Sequence, residues 1–186
     1  PSANMVIDIG GGTTDIAILS LNDIVTSDSV RIAGNVFDQD IIKYIREKYK
    51  LLIGEQTAEE IKIEFANIFN PDKKHKLEVR GRDLVTGLPS TIEITEEETE
   101  EALRESITKI IKAVTAVLEQ TPPELSADIV EKGIILTGGG SMLDGLVPLL
   151  KEKLKVPVFI ADSPLTCVVE GTGVLLDNIK LLENES

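Results

Sequence analysis

The sequence predicts an α/β fold: a mixed sheet flanked by helices, with a smaller α+β unit inserted into it. Three observations lead there. Three closely spaced apolar runs at the start read as an antiparallel meander. Long segments of helical apolar spacing follow, interrupted by short strand-like runs. Two apolar runs far apart in the chain each end in a glycine triad, Gly10–Gly12 and Gly138–Gly140.

The meander comprises strands at about Asn4 to Ile9, Asp15 to Ser20 and Ile24 to Ile32, with Asn22-Asp23 turning between the last two. The first two are apolar on both faces, so both faces are expected to be covered. Gly34 and Asn35 open a helix to about Lys50, with Phe37, Ile41, Ile42, Ile45 and Tyr49 on one stripe. Thr57 and Glu60 have the spacing of a capping box for a second helix. Its apolar face is Ile61, Phe65, Ile68 and Phe69, and Asn70-Pro71 ends it. Short strands are expected at Lys76 to Arg82 and Thr91 to Thr95.

Thr95 and Glu98 form another capping box and start the longest helix, about Glu96 to Gln120. Leu103, Ile107, Ile110, Ile111, Val114, Val117 and Leu118 make its apolar stripe. The acidic cluster from Glu96 to Glu101 reads as charge at a helix N-terminus, not as a calcium loop, which needs a glycine and alternating oxygen ligands. Pro122-Pro123 stops the helix. A short helical piece, Leu125 to Val130, precedes a buried strand, Gly133 to Thr137, and the second glycine turn. A helix at Asp144 to Leu154, a strand at Val156 to Ala161 and a terminal helix at Val168 to Leu182 complete the chain.

Composition excludes several classes. The 186 residues are 42% hydrophobic but only 3% aromatic, so the core is aliphatic. A net charge of −13 argues against nucleic acid and against broad contact with an anionic membrane. The single cysteine, Cys167, allows no intrachain disulfide or cysteine metal cluster and reads as packing. His75 is the only histidine, so no zinc constellation exists, and Lys73, Lys74, His75 and Lys76 read as a solvated turn. No apolar stretch reaches membrane-spanning length. The opening PSANM runs straight into a buried-looking strand, which reads as a piece cut from a longer protein at a domain boundary.

The stretch VIDIGGGTTDIAIL, Val6 to Leu19, carries the chemistry. Three glycines let the backbone approach a ligand closely, and successive N–H groups in such a turn can converge on an anion. Thr13 and Thr14 add hydroxyls. Asp8, at the strand end, suits a hydrated Mg²⁺, which takes few protein carboxylates. Taken alone, the stretch reads equally as a plain glycine hairpin. The second triad shifts the balance, because turns at the ends of neighbouring strands can share one ligand in the crevice of an open sheet.

Five ordered stretches resemble the actin-like ATPases, and within them the bacterial MreB/Mbl family. They are VIDIGGGTTDIAIL, GEQTAEEIKIEFANIF, RGRDLVTGLPSTIEI, ILTGGGSMLDGL and ADSPLTCVVEGTG. The resemblance covers nearly the whole chain but only the second lobe of a two-lobed, ribonuclease H-like fold that holds ATP and Mg²⁺ between its lobes. It implies a core subdomain at about 1–32 and 96–186 and an inserted subdomain at about 33–95. The first phosphate loop and the glutamate that polarises the attacking water are expected to precede the chain.

The resemblance assigns Asp8 to Mg²⁺ through water, and Gly11, Gly12 and Thr13 to the β- and γ-phosphates. Thr14 lies by implication near the attacking water. Glu59 and Lys62 are implied at the ribose; they sit three apart on one helix face, which a surface ion pair would also explain. Gly139, Gly140, Ser141 and Met142 are implied under the adenine. The function implied is that of a slow ATPase that polymerises into filaments under the cytoplasmic membrane and helps define cell shape. Membrane attachment is expected from parts outside this chain, and the chain alone is expected to be catalytically incompetent. The alternatives are half of a chaperone or sugar kinase of the same superfamily, a free-standing nucleotide-binding module, and a structural protein with degenerate nucleotide binding.

Overall fold

The computed structural model describes residues 2–161; the expected terminal helix and Cys167 lie outside them. Strands β1 (Asn4–Ile9), β2 (Thr14–Ser20) and β3 (Asp23–Val30) form the expected antiparallel meander. Strand β7 (Ile134–Thr137) pairs parallel to β1, and β8 (Val158–Ile160) parallel to β7. The five-stranded mixed sheet thus has the order β3-β2-β1-β7-β8. A separate antiparallel sheet contains β4 (Leu51–Leu52), β5 (Lys76–Asp83) and β6 (Pro89–Thr95). It belongs to the stretch between β3 and the long helix, where the inserted unit was expected.

One face of the large sheet carries Met5, Ile7, Ile9, Ile16 and Ile18 into the main core. There they join Phe37, Ile41 and Ile45 of helix α1 (Gly34–Tyr49) and Leu103, Ile107, Ile110, Val114 and Val117 of α3 (Glu96–Glu119). The opposite face buries Val6, Ala17 and Leu19 in a smaller cluster. Both faces of β1 and β2 are buried, as their continuous apolar runs require.

The Thr95–Glu98 capping box forms in both directions. Glu98 also accepts from Lys48 Nζ at 2.7 Å and from the Tyr49 hydroxyl, so the end of α1 is tied to the start of α3. Tyr44 donates to Glu101 at 2.6 Å and Ser106 to Asp40 at 2.5 Å along the same seam.

Several elements differ from expectation. Helix α2 spans Glu55–Glu64 and is capped by Gly54, whose extended backbone admits the helix two residues before Thr57. Thr57 therefore lies inside the helix and its capping box does not form. The helix also stops before Ile68 and Phe69. Asn67 instead bridges to Asp144, and the Ile68 N–H donates to the Asp144 carbonyl at 3.1 Å, tying the inserted unit to the core. Strand β4 is too short to leave a periodic signal; pairing of Leu51 with Asp83 creates it. Helix α4 (Pro123–Lys132) is longer than expected, with Pro123 in its first turn. Helix α5 (Leu146–Leu154) starts two residues later, after Gly145.

Replacing Thr95 by Ala should lower stability by about 1 kcal/mol in chemical denaturation, the usual cost of losing a cap. The Glu98 carboxyl is pushed up by burial, but the Lys48 ammonium, the Tyr49 hydroxyl and the Thr95 N–H outweigh burial and hold it below its ordinary 4.5. Its stabilising contribution is therefore present above pH 4.5 and is lost as pH falls through the lower folded value. Glu98→Gln should flatten this part of the acid limb in denaturation curves taken across that range.

Candidate functional site

The two glycine turns meet because β1 and β7 are parallel neighbours in register, with Asp8 opposite Thr137. Both strands leave the sheet at the same end. The first triad turns the chain back into β2, a hairpin closed by the Gly10 N–H donating to Thr13 O at 3.0 Å. The second is not a hairpin. Gly138 takes a positive φ of 86° and feeds a 3-10 turn, Gly139–Met142, that leads toward α5.

Packing dictates the glycines of this second turn. A Cβ on Gly138 would overlap the Ile9 carbonyl and lie 2.7 Å from Asp8 Oδ1. A Cβ on Gly140 would overlap the Ile9 side chain. Side chains at either position would push the second turn off the end of β1. Gly12 and Gly139, by contrast, face open space.

The turns border a cleft of about 260 Å³ lined by Gly10, Gly11, Gly34, Asn35, Asp38, Glu59, Lys62, Ile63, Gly139 and Gly140. The first loop, helix α2 and the second turn thus come together around one space. The N-terminus of α1 is stitched to the first loop: Gly34 N–H donates to Gly10 O at 3.0 Å, and Asn35 N–H to Gly11 O at 2.8 Å. Among the described residues the N–H groups of Gly11 and Gly12 make no hydrogen bond and remain free to donate.

Asp8 is 2% exposed and accepts from the Thr137 hydroxyl at 2.8 Å. That bond fixes the carboxylate at the strand end between the two turns. Among the described residues no group of three or more His, Cys, Asp or Glu could hold a metal. A single oriented carboxylate fits a divalent ion that keeps most of its waters. Beside it, Asp15 pairs with Asp8 across β1 and β2. Burial pushes the Asp15 carboxyl above its ordinary range; hydrogen bonds from Ser29 at 2.6 Å and Thr13 at 3.2 Å oppose this, and the Asp8 charge adds to it.

Five of the expected residues line the cleft: Gly11, Glu59, Lys62, Gly139 and Gly140. The others are arranged differently. The Thr13 hydroxyl points to Asp15. Thr14 is 0% exposed and donates to Ile32 O at 2.6 Å, so its hydroxyl is engaged beneath the loop and not in the cleft. Ser141 is buried and bonds back to Gly138 O at 2.5 Å, which tightens the second turn. Met142 is 71% exposed and lies outside the cleft lining. Lys62 forms no ion pair with Glu59; it pairs with Asp38 on α1, at 2.9 Å. Sequence reasoning missed Gly34, Asn35, Asp38 and Ile63 as lining residues. The Gly34-Asn35 helix start could have pointed to Asn35, but no spacing rule links Asp38 to Lys62 across 24 positions in separate helices.

A meander whose first strand runs parallel to a distant glycine-ended strand, with an inserted sheet and a shared cleft, defines one lobe of an actin-like protein. The chain belongs to the MreB/Mbl protein family, whose profile matches residues 1–184. It is similar to the cell shape-determining protein Mbl of Bacillus subtilis, 59% identical over 183 residues covering 98% of this chain and 55% of that protein. Among solved structures it is similar to MreB5 of Spiroplasma citri bound to AMPPNP. There the TM-score is 0.85 and the identity 41%, covering 100% of this chain and 56% of that one. The MamK double helical filament shares the fold, with a TM-score of 0.73 at 24% identity, covering 97% of this chain and 54% of the MamK chain. The chain spans about half the length of the relatives it matches. Family membership sets aside the chaperone and sugar-kinase alternatives.

Gly140→Ala should lower stability by roughly 1–3 kcal/mol, the range for overpacking a tight site. The readout is thermal or chemical denaturation, with Gly139→Ala, which faces open space, as the near-neutral comparison.

Proposed function

We propose that this chain forms one wall of the ATP site of a filament-forming protein that governs cell shape. The observation that carries the reading is the convergence of both glycine turns with Glu59 and Lys62 on a single cleft. The free N–H groups of Gly11 and Gly12 face the β- and γ-phosphates, with Thr13 beside them. Glu59 and Lys62 reach the ribose. Gly139 and Gly140 form the floor under the adenine; Ser141 holds that floor in shape, and Met142 flanks it. Asp8 would hold Mg²⁺ through water, and the ion supplies the positive charge that phosphates need. The AMPPNP bound to MreB5 of Spiroplasma citri supports the ligand class. Thr14 can meet an attacking water only by releasing Ile32 O, so its role here is to anchor β2.

Phosphoryl transfer rests on positioning and charge stabilisation around the phosphates. Among the described residues lining the cleft, Lys62 is the only cation. The whole protein therefore requires a second wall to complete the site. The relationship to the cell shape-determining protein Mbl supports the role in cell shape, and a fold shared with the subunit of the MamK filament is compatible with self-association of the natural gene product. Its place is the cytoplasmic face of the membrane. Among the described residues no helix is long and apolar enough to cross a membrane.

Two outcomes test this reading. The natural gene product should bind ATP more tightly with Mg²⁺ than without it, and Asp8→Asn should remove about tenfold or more of that gain while leaving metal-free binding unchanged. Equal ATP affinity with and without Mg²⁺ in the unsubstituted protein would refute the assignment of Asp8. The 186-residue chain alone should show negligible ATP turnover and no regular filaments by electron microscopy; turnover at the rate of the natural gene product would overturn the two-wall reading.

A further inference from the structure

Lys62 lies in the last turn of α2 and Asp38 in the second turn of α1. Their charged groups approach to 2.9 Å, and both side chains are largely buried, at 14% and 13% exposure. The same ammonium donates to Gly34 O at 3.2 Å. Asp38 Oδ1 is shut off from solvent and makes no hydrogen bond of regular geometry. At 2.9 Å, its charge-to-charge contact with Lys62 is what offsets its burial. Lys62 is thus pinned at two points, both on α1, and both partners border the cleft. Gly34, in turn, is bonded to Gly10 of the first glycine loop.

A lysine ammonium on four methylenes has high rotamer freedom and gains little from a ligand contact unless that freedom is already restricted. From this geometry we infer that Asp38 is a positioning residue: it holds the Lys62 ammonium at the ribose side of the cleft and keeps it from swinging toward the phosphates. The inference rests on the reading of the cleft as a nucleotide site. Asp38 itself touches no ligand atom; it acts through Lys62. Its charge also makes the cleft lining net negative, since Asp38 and Glu59 outnumber Lys62. Without Asp38 the free cation would be drawn to the polyanionic phosphates, and the ribose contact would be lost.

The test compares equilibrium binding of ATP and 2′-deoxyATP, both with Mg²⁺, to the natural gene product. A positioned lysine hydrogen-bonding a ribose hydroxyl should favour ATP by about tenfold, the worth of one charged hydrogen bond. Lys62→Ala and Asp38→Ala should each erase this preference, and the double variant should lose no more than either. Asp38→Glu should restore part of it. Asp38→Asn keeps the size of the side chain, guards against misfolding of the alanine variant, and should also erase most of the preference. A merely structural role would weaken both nucleotides equally and leave their ratio intact. If Asp38→Ala and Asp38→Asn retain the preference while Lys62→Ala loses it, the positioning role is refuted and the ribose assignment stands. If Lys62→Ala keeps the preference, or the unsubstituted protein has none, the ribose assignment fails and this inference fails with it.

Discussion

The parallel pairing of β1 with β7 is the constraint on which the rest of this structure depends. It places Asp8 opposite Thr137 and brings two glycine turns to one end of one sheet. The contact is tight enough that Gly138 and Gly140 pack directly on Ile9. A slip of β7 by one residue would take Thr137 out of register with Asp8 and send the side chains of β7 to the opposite face. Apolar burial on both sides of β1 makes such a slip costly, so the core itself fixes the register that the cleft needs.

The cleft is built from separate parts of the chain. The ends of β1 and β7 supply the glycine turns, and the stretch between β3 and β5 supplies α1 and α2. The joint between them is polar and specific: Gly34 and Asn35 donate to the first loop, and Lys62 reaches Gly34 and Asp38. On the far side, Asn67 bridges to Asp144, and Glu98 gathers Lys48 and Tyr49. These ties hold α2 at a set distance from the glycine turns.

Beneath the loop, hydroxyls do structural work that the motif alone suggested was ligand chemistry. Thr14 anchors β2 to Ile32, Thr13 and Ser29 serve Asp15, and Ser141 closes its own turn. What remains open at the cleft is the backbone N–H groups of Gly11 and Gly12, with the side chains of Glu59 and Lys62 on the α2 side. The chain is strongly acidic and, among the described residues, Lys62 is the one cation lining the cleft, so the phosphate binding proposed above would depend on a metal ion and on charge from a second wall.

Apart from β4, the order of strands and helices was legible in the residues, as were the meander, the Thr95 capping box and both glycine turns, because each arises from local periodicity or local turn chemistry. The boundaries of α2 were not, since Gly54 and the bridge from Asn67 to Asp144 overrode the Thr57 signal. Gly11, Glu59, Lys62, Gly139 and Gly140, all singled out in the sequence, line one cleft. Thr14, Ser141 and Met142 could not be sorted the same way, because hydroxyl direction and exposure depend on what packs alongside. Local pattern alone specifies most of the elements and the glycine turns able to meet a ligand. Packing settles that Lys62 pairs with Asp38, that Gly140 is dictated by Ile9, and which hydroxyls face inward. Those contacts join residues distant along the chain, and no local pattern encodes a distance that folding alone creates.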